Sequence, residues 1–291
     1  MTITVIMPAR NAERTVETAL RSCLRGLGRE DRLLVLDDGS TDDTRRRILS
    51  VRDSRVRIRT RSASDGIVSA LNVLLDDADT TYVARMDADD IALPWRFGYQ
   101  RKRLVDARAE FTFGNVVHFG RGKLPRPSEP IGLKPAVIAK LLLLSNPVSH
   151  PTMFAELRAM RDLAGYRQCA AEDYDLWMRA AAAEFRVERT ALAVLLYRHH
   201  GKQITANPDW RARVESDPML ADARAELASV AYPRWHSNLA RKEDLFRVIR
   251  GGAPVADQLA LSLLGDELAQ NGRLRAFTSR LIMRSAAMSV E

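Results

Sequence analysis

The chain has 291 residues, 46% hydrophobic and 28% charged, an ordinary balance for a globular protein and enough length to bury a large core. Its two cysteines, Cys23 and Cys169, exclude a disulfide framework and a cysteine-type zinc site, and point to a reducing compartment. The formal charge of +8, carried mostly by arginine, suits a partner that bears phosphate: nucleic acid, an anionic membrane surface or a phosphorylated small substrate.

Residues 3 to 7 read as a buried strand with no basic and apolar leader before it, so no signal peptide is expected. Pro8-Ala9-Arg10-Asn11 breaks this strand. Asn11 is the expected N-cap of a helix that carries Val16, Leu20, Leu24 and Leu27 on one face and stops at Gly26 and Gly28. A second apolar run, Leu33 to Leu36, meets Asp37-Asp38-Gly39-Ser40-Thr41-Asp42-Asp43. Ser40 and Asp43 have capping-box spacing, which predicts a helix to about Val51. Val56 to Ile58 is a short, partly exposed strand. Gly66 opens a third helix with Ile67, Leu71, Leu74 and Leu75 in register. Tyr82 to Met86 is then a fourth strand, ending in Asp87-Ala88-Asp89-Asp90, and Pro94 leads a helix through Phe97 and Leu104.

This alternation predicts an α/β protein with a mostly parallel sheet flanked by helices. Ligands of such sheets sit beyond the carboxyl ends of the strands, so Pro8–Asn11, Asp37–Asp43 and Asp87–Asp90 should line one crevice. Asp87 and Asp89 alternate on an extended chain, and two such carboxylates suit Mg²⁺ or Mn²⁺. Further on, Phe111 to Phe119 is a strand, Pro125 to Pro135 a connector, and Ala136 to Leu144 a helix too short and too interrupted by Lys140 to cross a membrane. A polar loop containing His150 feeds a short strand at Phe154. Gly165-Tyr166 closes a helix, and Cys169 begins another that reaches Phe185. Ala191 to Tyr197 is a last strand, ending in Arg198-His199-His200. From Pro208 onward only helical patterns occur, so a catalytic domain is expected over 1–205 and a helical extension over 206–291.

Five segments in this order carry a resemblance: Val5-Ile-Met-Pro-Ala-Arg-Asn11, Leu36-Asp-Asp-Gly-Ser-Thr-Asp42, Ala70-Leu-Asn72, Ala84-Arg-Met-Asp-Ala-Asp-Asp-Ile91 and Glu172-Asp173-Tyr-Asp-Leu-Trp177. The chain resembles the family 2 glycosyltransferases over about residues 3 to 205. The resemblance implies a GT-A (Rossmann-like) fold and an inverting enzyme that uses a nucleotide sugar, most often UDP-linked, with Mn²⁺ or Mg²⁺. It implies that Pro8, Ala9 and Arg10 wall the base and ribose, that Asp38 bonds the base, and that Asp87 lies near the ribose or diphosphate. Gly66, Asn72, Arg85 and Ala88 fall on the same nucleotide side. Asp89 would ligate the metal, His200 would approach the diphosphate or metal, and Asp173 would be the catalytic base with Glu172 beside it. Ser64-Asp65 departs from the family, where many relatives carry an Asn or Arg; Arg61 and Arg85 are the alternatives for that contact.

Two rival readings remain at this point: a nucleotidyltransferase, which leaves Asp173 without a role, and a non-catalytic binder of nucleotide sugars or glycans. The expected partners are a nucleotide-sugar donor and a hydroxyl acceptor of unspecified class, whether glycan, lipid-linked or protein. The C-terminal helices are assigned to packing, self-association or contact with a membrane surface, with Arg273, Arg280 and Arg284 on one face of the last of them. The expected location is cytoplasmic, at or near a membrane.

Overall fold

A computed structural model describes residues 1–120, 122–201, 208–231 and 278. The apolar runs of the first third become β1 (Ile3–Ala9), β2 (Arg32–Asp38), β3 (Val56–Arg61) and β4 (Tyr82–Arg85), separated by α1 (Val16–Gly26), α2 (Thr44–Leu49) and α3 (Gly66–Asp76). They pair in parallel in the order β3-β2-β1-β4, with Val5 opposite both Leu33 and Ala84. β1, β2 and β4 are covered on both faces, which is why they read as continuous hydrophobic runs, whereas β3 at the edge alternates and is partly exposed. Val5, Met7, Leu33 and Val35 pack on one face with Leu20 and Cys23, whereas Ile6, Leu34 and Leu36 pack on the other with Leu71 and Leu74. Each fully buried Leu or Ile contributes on the order of 1.5–3 kcal/mol by leaving water.

The chain continues through β5 (Ile91–Ala92), α4 (Arg96–Ala107), β6 (Phe111–Gly120), β7 (Lys123–Pro127), α5 (Pro135–Leu142), β8 (Phe154–Glu156), α6 (Leu157–Asp162), α7 (Glu172–Ala182) and β9 (Val187–Arg198). The sheet of nine strands runs β3-β2-β1-β4-β8-β6-β9-β5, with β7 paired to β6. It is mixed. β8 lies antiparallel between β4 and β6, while β6 and β9 pair in parallel. Trp177 of α7 is fully buried, edge-on to Phe113 of β6 at 4.8 Å between ring centroids, which makes it a core residue.

Several local expectations are corrected. Asn11 caps no helix; α1 starts at Val16, and Asn11 sits at φ 49° in the left-handed region that Asn tolerates. Its backbone N–H donates to Ser40 Oγ at 3.0 Å, and its Oδ1 accepts from Thr41 N at 2.9 Å. Ser40 is thereby drawn away from capping, and α2 begins at Thr44 with no side-chain cap. The two residues expected to cap separate helices instead tie the loop after β1 to the loop after β2. The connector from Pro125 begins as part of a strand, β7, whose Pro127 is tolerated at the sheet margin. Helix α7 starts at Glu172 rather than Cys169, and β9 starts four residues before Ala191.

Two helices of the extension are described, α8 (Pro208–Ser216) and α9 (Pro218–Ala231). Leu220, Ala223, Leu227 and Ala228 are buried, Trp210 Nε1 donates to Ala170 O at 2.9 Å, and Asp217 Oδ2 accepts from Ala170 N at 2.8 Å. The extension thus braces the segment that leads into α7. The arginine-bearing stretch from Arg273 to Met288 lies outside the described residues, Thr278 apart. Among the described residues no helix is long and apolar enough to cross a membrane.

Candidate active site

Because β1, β2 and β4 run parallel, the chain leaves all three at one edge of the sheet, and the polar junctions converge there. At the end of β2, buried Asp38 accepts from Ser64 Oγ at 2.6 Å, Arg61 Nη1 at 3.2 Å and Asp65 N at 3.4 Å. Ser64, the departure from the family pattern, is therefore an anchor for Asp38, and Arg61 supports it from β3 while donating to Ser69 Oγ at 3.0 Å. Gly39 makes this possible. It sits at φ 67°, and a Cβ there would lie 2.6 Å from Ser64 N. At the end of β1, Ala9 is buried and Arg10 is exposed, with Pro8 half-buried opposite Leu36 of β2. Gly66, at φ 86°, faces open space.

Asn72, expected on the nucleotide side, is engaged elsewhere. Its Oδ1 accepts from Tyr166 N and its Nδ2 donates to Tyr166 O, both at 2.9 Å. Both ends of the amide are consumed by main chain 94 residues away, so Asn72 serves as a pin between α3 and the loop before α7.

Asp87, Asp89 and Asp90 bring carboxylate oxygens within 4.8 Å of one another just beyond β4. Arg85, buried at the last position of β4, pairs with Asp87 at 2.8 Å. Burial still pushes the Asp87 carboxyl up against that attraction, and Asp89 adds to the push. Burial, then Asp87 and Asp89, raise Asp90 to about 9. Its Oδ1 accepts from Arg198 N at 2.8 Å, while its buried Oδ2 has no hydrogen-bond partner among the described residues. Of the adjacent histidines at the end of β9, His200 places Nε2 2.6 Å from Asp89 Oδ2, whereas His199 turns to His118 at 3.0 Å. Three crowded carboxylates, two of them resisting ionisation and one with an orphaned oxygen, form a donor set that a hard divalent cation fits. Ala88 is buried and keeps the turn free of bulk.

A second acidic pair faces this trio. Glu172 and Asp173 open α7, where carboxylates are favoured by the helix N-terminus. Asp173 Oδ2 accepts from Asn146 Nδ2 at 3.0 Å and Oδ1 from Tyr174 N at 2.8 Å. Burial raises Asp173 above the usual carboxylate range, although Arg85 and these hydrogen bonds pull it down. Burial and the neighbouring Asp173 raise Glu172 to about 7. Arg85 is common to both groups: burial alone would lower its pKa, but Asp87, Tyr166, Glu172 and Asp173 together hold it raised. Asn146 is a site residue that sequence reasoning passed over as part of a polar loop; its partner lies 27 residues on, and no local pattern marks the contact.

The glycosyl transferase family 2 profile matches residues 4–162, more than half of the chain. The chain is 30% identical over 168 residues, 53% of its length, to the Escherichia coli UDP-Glc:alpha-D-GlcNAc-diphosphoundecaprenol beta-1,3-glucosyltransferase WfgD, and spans about two thirds (66%) of that protein. Among solved structures, residues 1–349 of S. aureus TarS in complex with UDP-GlcNAc superpose with a TM-score of 0.65 at 16% identity, covering 98% of this chain and 89% of that one. The mannosyltransferase PcManGT from Pyrobaculum calidifontis, in complex with GDP-Man and Mn²⁺, gives 0.53 at 20% identity, covering 98% and 86%. At these identities the likeness concerns the fold, which is the GT-A arrangement of a mixed, curled sheet between helices. With this fold and the acidic groups at its strand ends, the chain belongs to glycosyl transferase family 2 and is a glycosyltransferase.

Proposed function

We propose that the chain transfers a sugar from a UDP-linked donor to an acceptor hydroxyl with inversion at the anomeric carbon. The observation that carries this reading is Arg85, ion-paired to Asp87 of one acidic group and in the field of Glu172 and Asp173 of the other. A single step needs those two kinds of site side by side: one for the departing diphosphate and one for the acceptor proton. Asp173 takes the proton of the acceptor hydroxyl as its oxygen attacks the anomeric carbon. The bond from that carbon to the diphosphate oxygen breaks on the opposite face. One base and one displacement require no covalent sugar–enzyme bond.

Asp89, with Asp87 and Asp90 beside it and His200 bonded to it, would hold a divalent cation, Mn²⁺ or Mg²⁺, which supplies Lewis-acid stabilisation to the leaving diphosphate. Asp38, fixed by Ser64 and Arg61, is the proposed acceptor of a base N–H, with Pro8, Ala9 and Arg10 flanking it. Asn146 and Tyr174 N hold the Asp173 carboxylate in one orientation. The binding partner named in TarS and the donor named in WfgD support UDP. WfgD's diphosphoundecaprenol substrate supports a lipid-linked acceptor, and the net charge of +8 suits an anionic membrane surface. We assign residues 1–205 to catalysis and helices α8 and α9 to bracing α7.

The test is a panel of nucleotide sugars scored for thermal stabilisation with and without Mn²⁺, followed by turnover of the best hit by wild type and Asp173→Asn. The base assignment predicts a loss of about 10²–10⁴-fold in kcat with donor binding retained. Full turnover by Asp173→Asn would end it. Release of pyrophosphate instead of UDP would favour nucleotidyl transfer.

A further inference from the structure

His150 is buried in the short turn His150–Thr152, behind the acidic pair of α7. Its ring is bonded at one nitrogen and open towards the acidic pair at the other. Nε2 lies 2.9 Å from Tyr166 Oη, Trp177 meets it edge-on at 5.6 Å, and Nδ1 points between Glu172 Oε1 at 3.8 Å and Asp173 Oδ2 at 3.9 Å. The tautomer follows from these neighbours. A bare Nδ1 lone pair aimed at two carboxylates would be repelled by both, while an N–H there is attracted by both. That leaves Nε2 as the acceptor, with Tyr166 as its donor. Tyr166 Oη has one proton and a second neighbour, Met153 Sδ at 3.7 Å; the imidazole nitrogen is the better acceptor.

We propose that His150 is a positioning residue for the base: held by Tyr166, it presents Nδ1–H to the Glu172–Asp173 pair and fixes its orientation without touching donor or acceptor. This rests on Asp173 being the base. Burial, and then the positive charge of Arg85, keep His150 well below its ordinary pKa, so the ring stays neutral and adds no charge when the pair ionises. The Tyr166 phenol is held far above its usual range by burial and therefore remains a donor throughout the working pH range. The charged groups facing this ring are Arg85, Glu172 and Asp173, and the two carboxylates lie within 4 Å of Nδ1, a charge–dipole contact longer than a hydrogen bond. The pin from Asn72 to the Tyr166 main chain holds the far end of the relay.

The experiment compares His150→Asn, His150→Gln and Tyr166→Phe in the full chain, with UDP-glucose or UDP-GlcNAc as donor, whichever the wild type hydrolyses faster. An Asn amide can reproduce a donor near Nδ1; a Gln amide places it near Nε2. His150→Asn is expected to stay within about twofold of wild-type kcat, whereas His150→Gln loses about 5- to 10-fold, the scale of a weak N–H contact. Donor KM is expected to stay within about twofold for both, because the ring contacts no donor atom. Loss of the N–H also removes stabilisation of the carboxylate form, so the acid limb of the kcat profile moves to higher pH in His150→Gln and not in His150→Asn. Tyr166→Phe frees the tautomer, and an acid limb shifted in the same direction is expected even if a His150 variant folds poorly.

A raised donor KM at unchanged kcat would make His150 a ligand contact and overturn the proposal. So would equal losses in Asn and Gln variants with no shift of the acid limb, or a Tyr166→Phe enzyme with a wild-type profile. Asp173→Asn in the same assay separates the two levels. Retained turnover there removes the base itself, whereas lost turnover there with a normal His150→Gln enzyme removes only the relay.

Discussion

His200 Nε2 stands 2.6 Å from Asp89 Oδ2, joining the end of β9 to the acidic turn after β4 across 111 residues of sequence. A histidine that donates to a ligating carboxylate sets that ligand's orientation and basicity. Asp89→Ala is expected to abolish the Mn²⁺ dependence of donor binding, and His200→Ala to weaken Mn²⁺ affinity by about 10- to 100-fold. Titration calorimetry with Mn²⁺ and UDP checks both. Unaltered Mn²⁺ affinity in Asp89→Ala would place the cation elsewhere.

The base pair predicts a pH dependence. Burial raises Glu172 to about 7 and lifts Asp173 above its ordinary value, so lowering the pH protonates the pair and removes the base at a higher pH than an exposed carboxylate would give. Activity should fall about tenfold per unit below the limb. Glu172→Gln deletes a negative neighbour of Asp173, which lowers the Asp173 pKa and moves the limb to lower pH. A kcat–pH series on both proteins decides this. Loss of turnover together with the acid limb in Glu172→Gln would mean that Glu172 is itself the titrating base.

Asp90 carries a stability prediction of opposite slope. Its folded pKa, about 9, lies above that of an unfolded carboxyl, roughly 4. Below pH 4 the group is protonated in both states and costs nothing. As pH rises from 4 towards 9 the unfolded chain ionises first, and stability is lost progressively. Asp90→Asn keeps an oxygen for Arg198 N and removes the ionisation. With EDTA present, its Tm should exceed that of wild type at pH 8 by about 2–4 °C per kcal/mol recovered, with no difference at pH 4. Added Mn²⁺ should raise wild type and leave Asp90→Asn behind. Equal Tm values at pH 8 would contradict the buried, strained carboxyl.

Asn72→Ala tests the pin on Tyr166. It strands a backbone donor and a backbone acceptor that are both satisfied in the native loop. A cost of about 1–3 kcal/mol is expected for each group left without a partner. Urea unfolding should show a lower midpoint with an unchanged slope. No change in midpoint would mean that the loop before α7 finds other partners.

The apolar runs in β1, β2 and β4, and the polar residues that follow them, were legible in the sequence because parallel strands buried on both faces need continuous hydrophobic residues. Alternation of strand and helix then dictates which ends coincide. For that reason the Asp87–Asp90 turn could be placed at this edge; the roles expected of its carboxylates came from the family resemblance. Long-range side-chain contacts were not legible. Asn11 and Ser40 carry correct capping chemistry but spend it on each other, since a loop-to-loop contact has no local signature. Asn72 sits in a family segment, yet its amide is bonded to main chain that only tertiary structure brings near. The roles of His150, Asn146 and Tyr166 depend on how α7 docks against the turn before β8. Local propensity says nothing about that docking.

β8 is three residues long and lies antiparallel between β4 and β6, where it joins the parallel strands of the first third to β6, β9 and β5. Beside it, Arg96 Nη2 donates to Arg85 O at 2.6 Å and to Met153 O at 3.5 Å, stapling the two sides together. The acidic trio hangs from one side of this joint and Glu172 and Asp173 from the other. A seam this short leaves the register of the two sides to side chains: Asp89 meets His200, Asp90 meets Arg198 N, and Asn72 meets the Tyr166 main chain. A chimera spliced at the seam would therefore have to carry both partners of each of these pairs from one parent.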